Sequence, residues 1–261
     1  RRGFSRIPSP MASRQPTIAP DWYQLSFDSL YPIVYAHRDA DSAQREAEFC
    51  IEQLGISKSD TVLDLCCGNG RHMMHLAPRA RRIVGLDFSA HLLTLARQAA
   101  NEAWLVRADM RRQPFASAFD VVANFFTSFG YFLSREDNLR VVREITRSLK
   151  PGGRFFIDYI NLNWAKAHVE PRSVRFREDY EIREERWIDE QRGRMNKTTR
   201  VLLDGRQVSE TGESVQLYTL DEMAALLTEG GLRMECAYGD YSGSECCEPS
   251  KPRMILIGRK A

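Results

Sequence analysis

Between residues 61 and 160, short apolar runs alternate with stretches whose apolar residues return every three or four positions, which predicts βα units around a parallel sheet. Strands are expected over 61–66 (TVLDLC), 82–87 (RIVGLD), 103–108 (AWLVRA), 119–126 (FDVVANFF) and 154–160. A helix should begin near Gly70, and another should run from Ser89, a good N-cap, to about Ala100. Ser134 with Asp137 opens a third, whose Leu139, Val142, Ile145 and Leu149 share one face. Lys150-Pro151-Gly152-Gly153 ends it and turns the chain into the fifth strand.

From 170 to 218 the pattern changes to dense charge with few aliphatics. Turn signals stand at Gln191-Arg192-Gly193 and Asp204-Gly205, and Met195, Lys197, Thr199, Val201 and Leu203 alternate between them. A two- or three-stranded antiparallel meander inserted into the α/β body is expected. Thr219 with Glu222 forms a capping box for a helix ending near Gly230, and two closing strands follow near 232–239 and 253–258. Residues 21–54 read as helical, a cap with Ala43, Ala47, Phe49, Cys50 and Leu54 inward. Residues 21–261 are thus expected to form one domain, and Arg-, Ser- and Pro-rich 1–20 a disordered or targeting-like tail.

Charge sharpens this picture. The formal charge of +2 includes four arginines in 1–20 with no acid; 37 basic residues less those four leaves 33 against 35 acidic. A slightly acidic body argues against nucleic acid as partner. No apolar run approaches the roughly 20 residues that span a membrane, and no signal peptide opens the chain, so a cytoplasmic protein is expected. The six cysteines include two vicinal pairs and no CxxC, which suits reduced thiols and no metal site. His72 and His75 lack further ligands and read as packing or surface residues.

Ligands of open α/β sheets bind beyond the carboxyl ends of the strands, here Asp64 to Gly70, Asp87, Asp109 and Asn124. A dinucleotide fingerprint needs a third glycine, and Met73 stands where it would be; no GK[ST] follows for a P-loop. Asp87 can accept both hydroxyls of a ribose diol, and Asp109 is set to accept from an adenine amine. A ligand with an adenosine and an amino-acid end, and no phosphates, suits two glycines and three acids.

In VLDLCCGNGRH, GLDFS, RADMRR, FDVVANFFTSFGYF and LKPGG, taken in order over 61–153, the sequence resembles the class I S-adenosylmethionine (SAM) dependent methyltransferases of small-molecule type. YPIVYAHRD and QLYTLDEM extend the likeness more loosely. The resemblance implies a Rossmann-like, seven-stranded, mostly parallel sheet with helices on both faces and the last strand antiparallel. It implies that Gly68 and Gly70 lie against the methionine part of SAM, with Asp64, Cys66 and Asn69 in the same loop. Asp87 with Phe88 would take the ribose, Asp109 with Met110 the adenine, and Asn124 and Phe125 the cofactor floor. Tyr31 or Tyr35 and Arg38 match the aromatic and arginine that reach the methionine end in related sugar-amine enzymes.

The expected activity is methyl transfer from SAM to a small molecule, at nitrogen or oxygen rather than carbon, leaving S-adenosylhomocysteine (SAH). His37, Tyr131, Asn161, Tyr218 and Tyr241 are polar candidates for the acceptor pocket, and no catalytic base is assigned. Asn124-Phe125-Phe126-Thr127 shares only its asparagine with the NPPY motif of DNA amino-methyltransferases. An NAD-dependent oxidoreductase and a catalytically silent SAM- or SAH-binding partner protein are the alternatives, and a homodimer is compatible with the charged insertion.

Overall fold

The computed structural model describes residues 17–27, 29–35 and 40–261. His37, Arg38 and most of the N-terminal tail lie outside the described residues. After a 3-10 turn at Trp22–Gln24 come α1 (Tyr31–Val34) and α2 (Ala40–Leu54). The βα body follows as β1 (Thr61–Leu65), α3 (Met73–Leu76), β2 (Arg82–Asp87), α4 (Ala90–Ala99), β3 (Trp104–Arg107), β4 (Phe119–Asn124), α5 (Arg135–Ser148), β5 (Leu149–Ile160) and α6 (Leu162–His168). The insertion is β6 (Arg172–Arg177), β7 (Tyr180–Asp189), β8 (Arg194–Leu203) and β9 (Arg206–Gln216), and the chain closes with α7 (Leu220–Glu229), β10 (Leu232–Tyr238) and β11 (Arg253–Lys260).

Seven strands form one sheet in the order β10-β11-β5-β4-β1-β2-β3. β11 runs antiparallel to both β10 and β5, while the pairs from β5 through β3 are parallel. Its two faces carry separate apolar clusters. One packs α5 and α7 through Leu139, Val142, Ile145, Met223 and Leu227; the other packs α2 and α3 through Ala47, Cys50, Leu54, Met73 and Leu76. The helix starts read at Ser134 and Thr219 hold. Ser134 Oγ accepts the Asp137 N–H at 3.0 Å, and Thr219 and Glu222 close a reciprocal capping box, each cap worth about 1 kcal/mol.

Two expectations need correction. The helix expected from Gly70 is only the single turn of α3, because left-handed Gly70 (φ 82°) delays its start and Pro78 follows closely. The insertion has four strands, forming their own antiparallel sheet in the order β6-β7-β8-β9. Both its faces bury polar side chains, Glu184 and Thr199 on one and Arg194, Asn196, Thr198 and Ser214 on the other, so an apolar alternation could not reveal its full extent. Vicinal Cys246 and Cys247 bring their sulfurs together in one loop, and Cys50, Cys66, Cys67 and Cys236 are free thiols. Among the described residues no helix is long and apolar enough to cross a membrane.

Candidate functional site

The turn after β1 is built from left-handed backbone. Cys66 (φ 62°), Gly68 (φ 55°) and Gly70 (φ 82°) lie within five residues, and a Cβ on Gly70 would stand 3.2 Å from Ala96 of α4. Met73 occupies the position of the missing third glycine, and the space it needs comes from the neighbouring strand. A Cβ on Gly85 of β2 would meet Met73 Sδ and Cys67 Sγ, each at 2.7 Å. The small residue that close packing requires has moved from the helix to the sheet.

A cavity of about 480 Å³, in the size range of small-molecule sites, opens above this turn at the carboxyl ends of the strands. Cys66, Gly68 and Asn69 reach it from the turn, Asp87 and Phe88 from the end of β2, Asp109 and Met110 from beyond β3, and Phe125 from beyond β4. Asp87 Oδ2 accepts the Gly68 N–H at 2.9 Å and Oδ1 the Ser89 N–H at 2.8 Å, so one carboxylate ties the turn to the next helix. Burial pushes the Asp87 carboxyl up, opposed by these backbone donors. Asp109 is more engaged than the sequence reading expects. Arg111 Nε lies 3.1 Å from both its oxygens and Nη2 lies 2.6 Å from Oδ2, and although burial raises the Asp109 carboxyl, the Arg111 hydrogen bonds hold it below its ordinary value. Arg111 in turn lies over the Phe132 ring and donates to Tyr23 Oη at 3.2 Å.

An aromatic strap covers the cavity. Tyr23, Phe27, Tyr31 and Tyr35, spaced four apart in sequence, all line it. Ser89 Oγ fastens the strap to the main sheet by donating to Phe27 O, and Ser26 Oγ fastens it to the insertion by donating to Gly212 O, both at 2.8 Å. Behind it the insertion contributes Arg186, Asn196, Lys197 and Glu213. Lys197 Nζ pairs with Glu213 at 2.9 Å and with buried Glu184 at 3.6 Å, and it donates to Tyr35 Oη. Arg194 of β8, itself buried, donates to the carbonyls of Tyr131 and Phe132 at 3.0 Å, holding the loop that puts both rings on the wall.

Beyond β4 the backbone turns left-handed at both Phe126 (φ 58°) and Thr127 (φ 60°). Fully buried Asp158 braces this turn by accepting the Phe126 N–H at 2.7 Å and pairing with Arg253 Nε at 2.6 Å. Arg253 Nη2 donates to Thr127 Oγ1 at 3.0 Å.

Several residues expected at the site stand elsewhere. Asp64 is buried beneath the turn, off the cavity wall, with Oδ2 unpartnered and its carboxyl pushed up to about 8 by burial. Gly70 packs on α4, and Asn124 lies under the wall with Nδ2 donating to Leu65 O at 2.8 Å. Asn161 is the N-cap of α6, its Nδ2 spent on the carbonyls of Glu248 and Lys251. Tyr218 is buried in the core with Oη accepting from Asn138, and Tyr241 packs edge-on against Phe49. Of the acceptor-pocket candidates among the described residues, Tyr131 alone lines the cavity.

Sequence reasoning missed Arg71, His72, Lys197, Arg186 and Arg253. His72 stacks on Phe125 with ring centroids 4.0 Å apart, and its Nε2 lies 2.6 Å from Glu46 Oε2. Burial lowers its pKa to about 4, so it is a neutral partner of Glu46. The thiols of Cys66 and Cys67 are pushed well up by burial, which removes them as nucleophiles.

The comparisons with known proteins agree with this architecture. A family model described as a methyltransferase domain matches residues 62–153. The chain is 28% identical over 233 residues, covering 85% of itself and 96% of the relative, to a dTDP-3-amino-3,4,6-trideoxy-alpha-D-glucopyranose N,N-dimethyltransferase from Streptomyces venezuelae. It is 26% identical over 208 residues to a cypemycin N-terminal methyltransferase from Streptomyces sp, covering 77% and 83% of the two chains. Among solved structures, an S-adenosylmethionine-dependent methyltransferase from Clostridium acetobutylicum ATCC 824 superposes with a TM-score of 0.75 at 16% identity, covering 88% of this chain and 95% of that one. With its glycine turn and its sheet order, the chain carries a methyltransferase domain over residues 62–153 and is similar over most of its length to SAM-dependent methyltransferases.

Proposed function

We propose that the cavity holds SAM along the strand ends and methylates an amine nitrogen of a small polar acceptor, of the amino-sugar class. The observation that carries the cofactor half is Asp87. Each of its oxygens takes one backbone N–H, which fixes the carboxylate at the wall and leaves each oxygen capacity for one ribose hydroxyl. Asp109 and Met110 would meet the adenine edge, and Tyr23 and Phe88, ring centroids 5.8 Å apart, would enclose the nucleoside. Cys66, Gly68 and Asn69 would run along the methionyl chain, with Tyr31 and Phe125 beyond.

The donor set fits this group. Two acids reach the cavity where a diol and an amine need acceptors, Cys66 Sγ and Met110 Sδ make a soft patch 3.7 Å apart, and the turn presents no phosphate cradle. When bound, SAM supplies an electrophilic methyl group on a sulfonium whose departure needs no acid. The chain's own contribution is orientation and exclusion of water: the strap roofs the cavity, and Arg194 and Asp158 hold its walls. The acceptor would enter between the strap and the insertion, against Tyr35, Lys197 and Glu213.

Nitrogen is favoured over oxygen because three of the similar relatives are N,N-dimethyltransferases of dTDP-linked amino sugars. A cytoplasmic setting, where SAM is made, accords with this reading. Incubation with SAM and a panel of nucleotide-linked amino sugars should give a mass gain of one or two methyl groups at the amine, with SAH released in equal amount. Methylation at a hydroxyl with the amine untouched, or SAH binding with no amine methylated, would overturn the acceptor assignment.

A further inference from the structure

We infer that Arg71, the residue directly after the glycine turn, is the carboxylate receptor for the methionyl end of the cofactor. This rests on the reading of the cavity as a SAM site and adds to it a residue that neither the motif nor the leading segment supplied.

Arg71 lines the cavity with its side chain 16% exposed, and both terminal nitrogens are buried without an acceptor in hydrogen-bond geometry. Its Nη2 stands 2.9 Å from Glu46 Oε2, an ion-pair distance, but the same oxygen already takes His72 Nε2 at 2.6 Å. The guanidinium face lies over Phe126, its central carbon 5.1 Å from the ring centroid. Glu46 and Phe126 therefore fix the plane of the group, and beyond the Glu46 ion pair neither terminal nitrogen has an acceptor in hydrogen-bond geometry. Buried donors without partners are rare in folded proteins and costly to leave so, and a guanidinium offers a planar fork that matches one carboxylate.

The position selects which carboxylate. Arg71 follows Gly70 directly, on the strand-end side where the methionyl chain would leave the turn, and its charge also acts on Asp64 beneath that turn. The cations of the insertion are already engaged with carboxylates, Arg186 with Glu184 and Lys197 with Glu184 and Glu213. Arg253 is engaged with Asp158. Of the four cationic side chains on the cavity wall, Arg71 is the one whose terminal nitrogens are both buried without a directed acceptor.

The test compares SAM with decarboxylated SAM, which keeps the nucleoside, the sulfonium and the ammonium and lacks the carboxylate alone. Calorimetry on the wild-type chain should favour SAM by about 10- to 100-fold, the range of a charge-assisted pair. Arg71→Met should bind SAM as weakly as decarboxylated SAM, with affinity for decarboxylated SAM within about twofold of wild type. That retained affinity also reports that the variant is folded. A variant that still prefers SAM as strongly as wild type overturns the proposal; if the acceptor's KM rises instead, Arg71 serves the acceptor. Failure of the wild-type chain to bind either compound overturns the cavity reading itself, and the proposal with it.

Discussion

Asp87→Ala should weaken SAH binding by about 100-fold or more, since the side chain does two jobs whose losses compound. Its oxygens close the glycine turn through the Gly68 and Ser89 N–H groups. The same oxygens are assigned the ribose diol. Removing them leaves two backbone donors unsatisfied, at about 1–3 kcal/mol each, and removes acceptors for two hydroxyls. Asp87→Asn separates the two effects. It retains one acceptor oxygen but turns an amide donor toward a backbone N–H, so its affinity should fall between those of wild type and Asp87→Ala. Calorimetry with SAH checks both variants, and an unchanged affinity in Asp87→Ala would remove the ribose assignment.

Arg194→Met should lower the melting temperature by roughly 10 °C, because it breaks a buried polar network worth about 3–5 kcal/mol. Arg194 is 4% exposed, and its hydrogen bonds reach the Gly130, Tyr131 and Phe132 carbonyls, Ser214 O and Oγ, and Gln216 Oε1. No carboxylate is among those acceptors, and burial lowers the pKa of the group. Methionine fills similar space and satisfies none of those oxygens. The loop from Gly130 to Phe132 would then part from β8, carrying Tyr131 and Phe132 away from the cavity wall, so cofactor affinity should fall along with stability. Scanning calorimetry measures the first effect; a melting temperature within a few degrees of wild type would show that the network does not hold the insertion to the body.

The βα body was legible because each of its strands is an apolar run bounded by turn residues, and because Ser134, Thr219 and Glu222 cap helices by local rules that need no tertiary knowledge. The insertion was only partly legible. β8 alternates visibly, but β9 (RQVSETGESVQ) and β6 (RSVRFR) bury little apolar surface, and hydrophobic periodicity cannot see a sheet packed through Glu184, Thr199 and Ser214. For the site, the residues after each strand were readable from the rule that ligands bind there. Residues arriving from other layers were not: Lys197 and Arg186 come from the insertion, Arg253 from the last strand, and Arg71 gives no signal beyond its place after Gly70. The spacing of Tyr23, Phe27, Tyr31 and Tyr35 was a usable signal for the strap. Asn161 and Tyr218 looked available as polar residues beside strand ends, but a helix N-terminus and a core asparagine use them.

The central claim is that this cavity takes an adenosyl ligand with an amino-acid end and no phosphates. Titrating the full chain with SAH and, separately, with NADH tests it most directly. The account predicts saturable one-site binding of SAH and no measurable heat from NADH. Binding of NADH, or no binding of SAH to the folded chain, would contradict it.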